Sequence, residues 1–155
     1  MSLSRRSAFA RLAAAASAGL VAFKAAEAVA APMSTAAGAV PKVVYHLADI
    51  DKAGFVLGNI DNHFKGMGGI DKVHIALVVH GPALGVFKAG KADADLGRRL
   101  ADLVAKGVDL GACGNTLDAQ HLDIADLLPG FSRIGEGGVV RLATLQAAGY
   151  AYLRP

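Results

Sequence analysis

The chain has 155 residues, of which 54% are hydrophobic, and this is enough apolar material for one domain with a sizeable core. It carries 16 basic and 13 acidic residues, for a formal net charge of +3, and one cysteine. A single cysteine excludes an internal disulfide.

The first 30 residues have the pattern of a bacterial export signal. A basic head containing Arg5 and Arg6 precedes an alanine-rich apolar stretch, and Ala-Val-Ala at 28–30 is the small-x-small pattern that signal peptidase requires. The run SRRSAF at 4–9 resembles the twin-arginine motif, although its Phe stands one place later than usual. A mitochondrial transit peptide and an ordinary amphipathic helix are the alternatives. We predict a cleavable signal at 1–30 and a periplasmic protein exported by the twin-arginine route.

Removal of this segment changes the charge of the chain. Residues 1–30 contain four basic residues and one acid, so the remainder contains twelve of each and is neutral. A neutral protein lacks the basic surface that binds nucleic acid or an anionic membrane, and we predict neither partner for the mature protein. Residues 31–41 are small and include two prolines, which predicts a flexible lead-in to a single domain at 42–155.

From residue 42 onward, β-branched apolar runs alternate with segments of helical periodicity. The predicted strands are residues 42–47, 72–80, 108–113, 131–135 and 150–155. Helices or helical turns are predicted over residues 48–69, 94–107, 115–120, 123–130 and 137–149. Asp49 is a candidate cap of the first helix, and Val104 belongs to the apolar stripe of the second.

This alternation favours a three-layer α/β/α sandwich with a mostly parallel five-stranded sheet. In such folds, binding sites lie beyond the carboxyl ends of the strands. His46 ends the first strand, and His80, Gly81 and Pro82 end the second and leave it. Cys113 ends the third strand, so we expect these residues to share one edge of the sheet.

Cys113 lies between a predicted strand and a predicted helix. A helix amino terminus stabilises a thiolate with its free N–H groups and partial positive charge, which makes the thiol nucleophilic. Gly114 leaves the approach to the sulfur open, and Asn115 and Thr116 offer hydrogen bonds. The alternative is a buried structural cysteine, which is common for free thiols.

His80 is the best candidate for a second functional group, because it can shuttle a proton or lower the pKa of a neighbouring thiol. His46 has the same position on its own strand. For both, the alternative is a histidine that only caps its strand. The scattered histidines and lone cysteine lack metal-ligand spacing, and no G-x-G-x-x-G loop is present, so we predict neither a metal nor another cofactor.

The order KVVYHL…HGPAL…LVAKGVDLGACGNTLDA…DLLPGF…VVRLATLQAAGYAYLRP resembles the DsrE/DsrF-like family of small sulfur-relay proteins over residues 42–155. The most specific parts are the stretch around Cys113 and the terminal GYAYLRP. The resemblance implies a flavodoxin-like sandwich that assembles into trimers, hexamers or related rings. It also implies that Cys113 matches the cysteine that carries sulfur as a persulfide in characterised members.

Three functions are consistent with this sequence. The first is a thiol-based sulfur carrier or sulfurtransferase that exchanges sulfur with a donor or acceptor protein through Cys113. The second is an oligomeric binding module in which Cys113 is structural. The third is a redox sensor that forms an intermolecular disulfide. The kinetics of alkylation separate a reactive thiol from a structural one.

Overall fold

Five parallel strands form the centre of the molecule. The structure, a computed structural model, describes residues 38–155. The strands are Lys42–Leu47 (β1), His74–Val79 (β2), Asp109–Cys113 (β3), Phe131–Ile134 (β4) and Ala151–Leu153 (β5). Their order in the sheet is β4-β3-β2-β1-β5, and every neighbouring pair is parallel. The predicted signal at 1–30 and all but the end of the lead-in at 31–41 lie outside the described residues.

Helices connect the strands. The α-helices are Ala53–Met67 (α1), Ala94–Ala105 (α2), Gly114–Ala119 (α3) and Gly138–Ala147 (α4). Short 3₁₀ segments are Ile50–Lys52, Gly81–Phe87 and Ile124–Asp126. None of the helices in residues 38–155 is long and apolar enough to cross a membrane.

The predicted three-layer sandwich is confirmed, and its sheet is parallel throughout. The chain steps outward from β1 to β4 and then returns to place β5 on the other side of β1. This order differs from the 2-1-3-4-5 order of flavodoxin itself, although the layers are the same.

The larger core lies between one face of the sheet and α1 and α2. Helix α1 buries one stripe at helical spacing, and α2 adds two leucines; these residues are Val56, Leu57, Ile60, Phe64, Leu100 and Leu103. Burial of each such side chain stabilises the fold by about 1.5–3 kcal/mol relative to exposure.

Helix α4 covers the other face of the sheet. The smaller core there consists of Val44, Ala76, Val78, Ile134, Leu142 and Leu145. Side chains two residues apart on a strand share a face, so His46 follows Val44 and His80 follows Val78 on the face that α4 covers. Gly111 pairs with Val78 in the register of β2 and β3, and Cys113 is two residues beyond it. The fold therefore places both histidines and the cysteine on the α4 face.

Two local expectations are wrong. The Asp49 side chain caps no helix, and its carboxylate instead accepts a hydrogen bond from the Arg154 guanidinium at 3.0 Å. Val104 is 37% exposed, because the buried stripe of α2 is narrower than its apolar pattern and centres on Leu100 and Leu103.

Candidate functional site

A cavity of about 250 Å³ opens where β2 and β3 end. It is lined by His80, Cys113, Asn115 and Thr116, together with residues 136–140 at the start of α4. The site therefore combines two strand ends with the first turns of α3 and α4.

Cys113 lies at the amino ends of two helices. It is the residue that precedes α3, and its Sγ accepts a hydrogen bond from the backbone N–H of Gly138, the first residue of α4, at 3.1 Å. The side chain is only 5% exposed, so little water competes for the sulfur. Aligned helix N–H groups favour a negative charge at this point. The sequence predicted the contribution of α3 but not that of α4.

The groups around Cys113 together lower the pKa of its thiol. Burial is the largest single effect, and it is the only one that raises the pKa. Hydrogen bonds from the Thr116 side chain and from the backbone amides of Gly138, Thr116 and Asn115 together outweigh it. The net result is a thiol that loses its proton more readily than free cysteine, as a nucleophilic cysteine does.

Gly138 is packed against both functional strands. A Cβ atom at this position would lie 3.3 Å from the Cβ atoms of both Cys113 and His80 and 3.4 Å from Val78. These distances are tighter than ordinary van der Waals contact. Glycine therefore allows the start of α4 to approach the two strand ends closely enough for its N–H to reach the sulfur.

Gly81 and Pro82 hold His80 in place from outside the cavity. The N–H of Gly81 donates to Thr116 Oγ1 at 2.9 Å, and its carbonyl accepts from Gln120 Nε2 at 3.0 Å. Gly81 has φ +59°, a backbone conformation that favours glycine, and Pro82 lies in the first turn of the 3₁₀ segment that begins at Gly81. The segment after β2 is thus tied to α3.

Asn115 lines the cavity, whereas Gly114, predicted to leave the approach to the sulfur open, does not line it and serves packing. A Cβ atom on Gly114 would lie 2.7 Å from the carbonyl oxygen of Ile134, so only glycine fits between β3 and β4 here. The Asn115 amide lies against Gly137, whose φ is +92°. Both contacts fix the loop that leads into α4.

His46 lies behind His80 rather than in the cavity. Its Nε2 is 2.5 Å from His80 Nε2, and its Nδ1 is 2.6 Å from the Tyr152 hydroxyl. The two imidazole rings lie within 18° of parallel with centroids 4.6 Å apart, so they meet edge to edge at their Nε2 atoms. His46 is 8% exposed and Tyr152 is 39% exposed, so this row of side chains runs from the cavity wall to the surface.

Both histidines favour the neutral form. Burial, the neighbouring His80 and Arg154 lower the pKa of His46 from 6.5 to about 4, and Asp49 opposes this only in part. Burial, followed by Arg154, also lowers the pKa of His80. At neutral pH each ring therefore has one N–H donor and one nitrogen acceptor.

The sequence reasoning missed Gly138 and Tyr152. The glycine-rich run GEGG at 135–138 before a predicted helix was the available signal for Gly138. Tyr152 lies in the terminal GYAYLRP, but no local pattern assigned it to the site, because its contact with His46 depends on the pairing of β5 with β1. Within residues 38–155, no three His, Cys, Asp or Glu side chains form a group that could hold a metal ion.

A family model described as the DsrE/DsrF-like family matches residues 6–155. The chain belongs to the DsrE/DsrF-like family. Among solved structures, a protein of unknown function from Methanobacterium thermoautotrophicum is 28% identical with a TM-score of 0.65, and 74% of this chain covers 99% of that one. The ychN protein from E. coli is 16% identical with a TM-score of 0.58 and the same coverage, a likeness that shows the fold alone. No curated protein matches the chain.

Proposed function

We propose that this DsrE-like protein is a sulfur carrier that holds sulfane sulfur as a persulfide on Cys113. The observation that carries the proposal is the hydrogen bond from Gly138 N–H to Cys113 Sγ at 3.1 Å, at the foot of an open cavity. Family membership supports the same chemistry, since the family is associated with sulfur relay.

The reaction has two half-steps that balance without an oxidant. In the first, the Cys113 thiolate attacks the outer sulfur of a donor persulfide or polysulfide. A new S–S bond forms, and the donor leaves as a thiolate with the electron pair of the broken S–S bond. In the second, an acceptor thiolate attacks the outer sulfur on Cys113, and Sγ leaves as a thiolate. The amides around Sγ stabilise its negative charge before the first half-step and after the second.

The burial of Cys113 favours a persulfide over an intermolecular disulfide. A persulfide requires only one more sulfur atom in the cavity, whereas a disulfide between two folded copies requires both 5%-exposed thiols to meet. A structural cysteine has no need of a lowered thiol pKa or of a cavity beside it. The redox sensor and the structural thiol are therefore the less favoured functions.

Mass spectrometry tests the proposal. The purified protein is incubated with inorganic polysulfide, freed of excess reagent and measured intact, with Cys113→Ser as the control. Because Cys113 is the only cysteine, the control has no thiol at all. We expect the wild-type protein to gain the mass of one sulfur atom and to lose that mass again when it is treated with dithiothreitol. A gain of the same size in Cys113→Ser would contradict the assignment.

We also propose that the protein works in the periplasm after twin-arginine export. The support is the basic, alanine-rich segment at 1–30. Edman or mass-spectrometric sequencing of the protein from the periplasmic fraction is expected to find a start just after residue 30. A full-length chain in the cytoplasm would contradict export.

We further propose that the mature protein is a homo-oligomer, a trimer or a hexamer. The support is the family resemblance. A second support is the apolar surface at the mouth of the cavity, where Val139 is 70% exposed and Val140 is 51% exposed. An oligomer would cover this surface. Sedimentation velocity at micromolar concentration is the test, and a monomer would contradict this assembly.

A further inference from the structure

Three side chains form a continuous hydrogen-bonded row from the surface to the cavity. The Tyr152 hydroxyl bonds His46 Nδ1 at 2.6 Å, and His46 Nε2 bonds His80 Nε2. His80 lines the cavity that contains Cys113. Within residues 38–155, His80 Nδ1 is the one nitrogen of the two rings without a hydrogen-bond partner, and His80 is the residue of the row that lines the cavity. Nδ1 is therefore the atom of the row that we assign to a molecule bound there.

The row has two arrangements of its protons, because the contact between two Nε2 atoms holds one hydrogen. In the first arrangement, His80 Nε2–H donates to His46, and His46 Nδ1–H donates to Tyr152. His80 Nδ1 is then unprotonated and acts as a base. In the second arrangement, the Tyr152 hydroxyl donates to His46, and His46 Nε2–H donates to His80. His80 Nδ1 then carries a proton and acts as an acid. Both arrangements keep both rings neutral.

We propose that Tyr152, His46 and His80 form a proton relay that takes the proton of an acceptor thiol in the cavity and releases a proton to water at Tyr152. The relay rests on the proposed sulfur transfer and assigns its acid–base step. His80 is the catalytic base, and His46 and Tyr152 are positioning residues that act through it.

The proton balance closes over the two half-steps. The acceptor thiol gives its proton to His80 Nδ1, and the remaining thiolate attacks the outer sulfur on Cys113. As this proton arrives, the protons on His80 Nε2, His46 Nδ1 and the Tyr152 hydroxyl each move one place outward, and one proton leaves to water. When the next donor loads Cys113 with sulfur, His80 Nδ1–H protonates the departing donor thiolate. One proton then returns from water at Tyr152, and the row is back in its first arrangement.

The acceptor needs a base more than Cys113 does. Hydrogen bonds from Thr116 and Gly138 already lower the pKa of Cys113, whereas a free thiol has a pKa near 8.5 and is mostly protonated at pH 7. Deprotonation of the incoming thiol is therefore the step that the relay accelerates.

The charged groups around the row keep it neutral. Arg154, which follows β5, opposes protonation of both histidines, and Asp49, which follows β1, favours it. On the cavity side, the charged and titratable neighbours are Glu136 before α4, Arg133 on β4 and Cys113 itself. A positively charged histidine next to Arg154 is unfavourable, so transfer through neutral rings is the lower-energy route.

The chain contains a matched control on the opposite face of the sheet. Tyr45 OH bonds His63 Nδ1 at 2.9 Å, which is the same kind of contact, but it lies on the α1 side and not at the cavity. Tyr45→Phe therefore removes a tyrosine–histidine hydrogen bond without touching the row.

The test compares Tyr152→Phe with Tyr45→Phe and the wild-type protein. Tyr152 is partly exposed, so its loss of one hydroxyl leaves the core intact. Each protein is loaded with polysulfide, and single-turnover transfer to cysteine is followed from about pH 6 to about pH 10, in water and in deuterium oxide. Thermal unfolding shows that the variants are folded.

We expect Tyr152→Phe to slow transfer roughly tenfold at pH 7, which is less than the roughly 100-fold lower end of the range for general acid–base catalysis because Tyr152 acts only through His46 and His80. The deficit should disappear above about pH 9, where cysteine ionises without help, and the solvent isotope effect should decrease. Tyr45→Phe should match the wild-type protein throughout. An equal rate at pH 7, or a deficit of the same size at every pH, would overturn the relay. If no protein loads sulfur, the proposed function fails and the relay fails with it. Normal loading without a pH-dependent deficit refutes the relay alone.

Discussion

Thr116→Val removes one hydroxyl from the site and keeps the volume of the side chain nearly unchanged. The Thr116 hydroxyl is the largest of the contacts that lower the pKa of Cys113, and it also accepts the N–H of Gly81 at 2.9 Å. The substitution therefore changes the charge stabilisation of the sulfur without creating a cavity.

The expected size follows from the energy of one hydrogen bond. A hydrogen bond to a charged group is worth about 1.5–3 kcal/mol, and one pKa unit corresponds to about 1.4 kcal/mol. The Gly138 and Asn115 amides remain and strengthen their contacts in part, so we expect the pKa of Cys113 to rise by about one unit. Gly81 is only half-buried, so we expect water to replace the Thr116 hydroxyl at its N–H and the loss of folding stability to be about 1 kcal/mol.

The assay is the rate of alkylation by iodoacetamide as a function of pH, which follows the thiolate fraction because the protein has one cysteine. Thr144→Val, at an exposed position of α4 outside the cavity, is the matched control. We expect the midpoint of the profile to move upward only in Thr116→Val. An unchanged midpoint, or an equal movement in Thr144→Val, would refute the view that this hydroxyl stabilises the thiolate.

Two further predictions concern stability. Gly114→Ala places a Cβ 2.7 Å from the Ile134 carbonyl oxygen and should lower the free energy of unfolding, measured in urea, by about 1–3 kcal/mol. Gly58→Ala in α1, whose Cβ meets nothing within 4 Å, should instead raise it by about 0.5–1 kcal/mol. Equal effects of the two substitutions would contradict the packing of Gly114. His46 has a lowered pKa when folded, so the unfolded chain binds the extra proton first, and stability should fall as pH drops from 6.5 to about 4. His46→Gln should flatten that part of the stability curve, and an unchanged slope would show that His46 is not the responsible group.

The sequence predicted the edge of the sheet at which the site lies. Cys113 and His80 each end an apolar run, and the carboxyl ends of parallel strands meet at one edge whatever the strand order. The strand bounds were also accurate for β1, because Lys42–Leu47 is a continuous buried run with a charged first residue. Such features depend on local patterns of two to ten residues.

The missing parts of the site depend on pairings between distant segments. Gly138 meets Cys113 because α4 crosses the same face toward which Cys113 points, and those residues are 25 positions apart. Tyr152 meets His46 across 106 positions, only because β5 pairs with β1 and not with β4. A pattern of apolar residues predicts that a strand joins the sheet, but it does not say beside which strand.

The most direct test of the account is the state of Cys113 in protein isolated from its native compartment. Cells are treated with an alkylating reagent before lysis, and the peptide that contains Cys113 is analysed by mass spectrometry with and without dithiothreitol. The account predicts a fraction in which one additional sulfur lies between Sγ and the alkyl group and which dithiothreitol removes. A peptide that carries only the directly alkylated thiol, even after incubation of the protein with polysulfide, would contradict it.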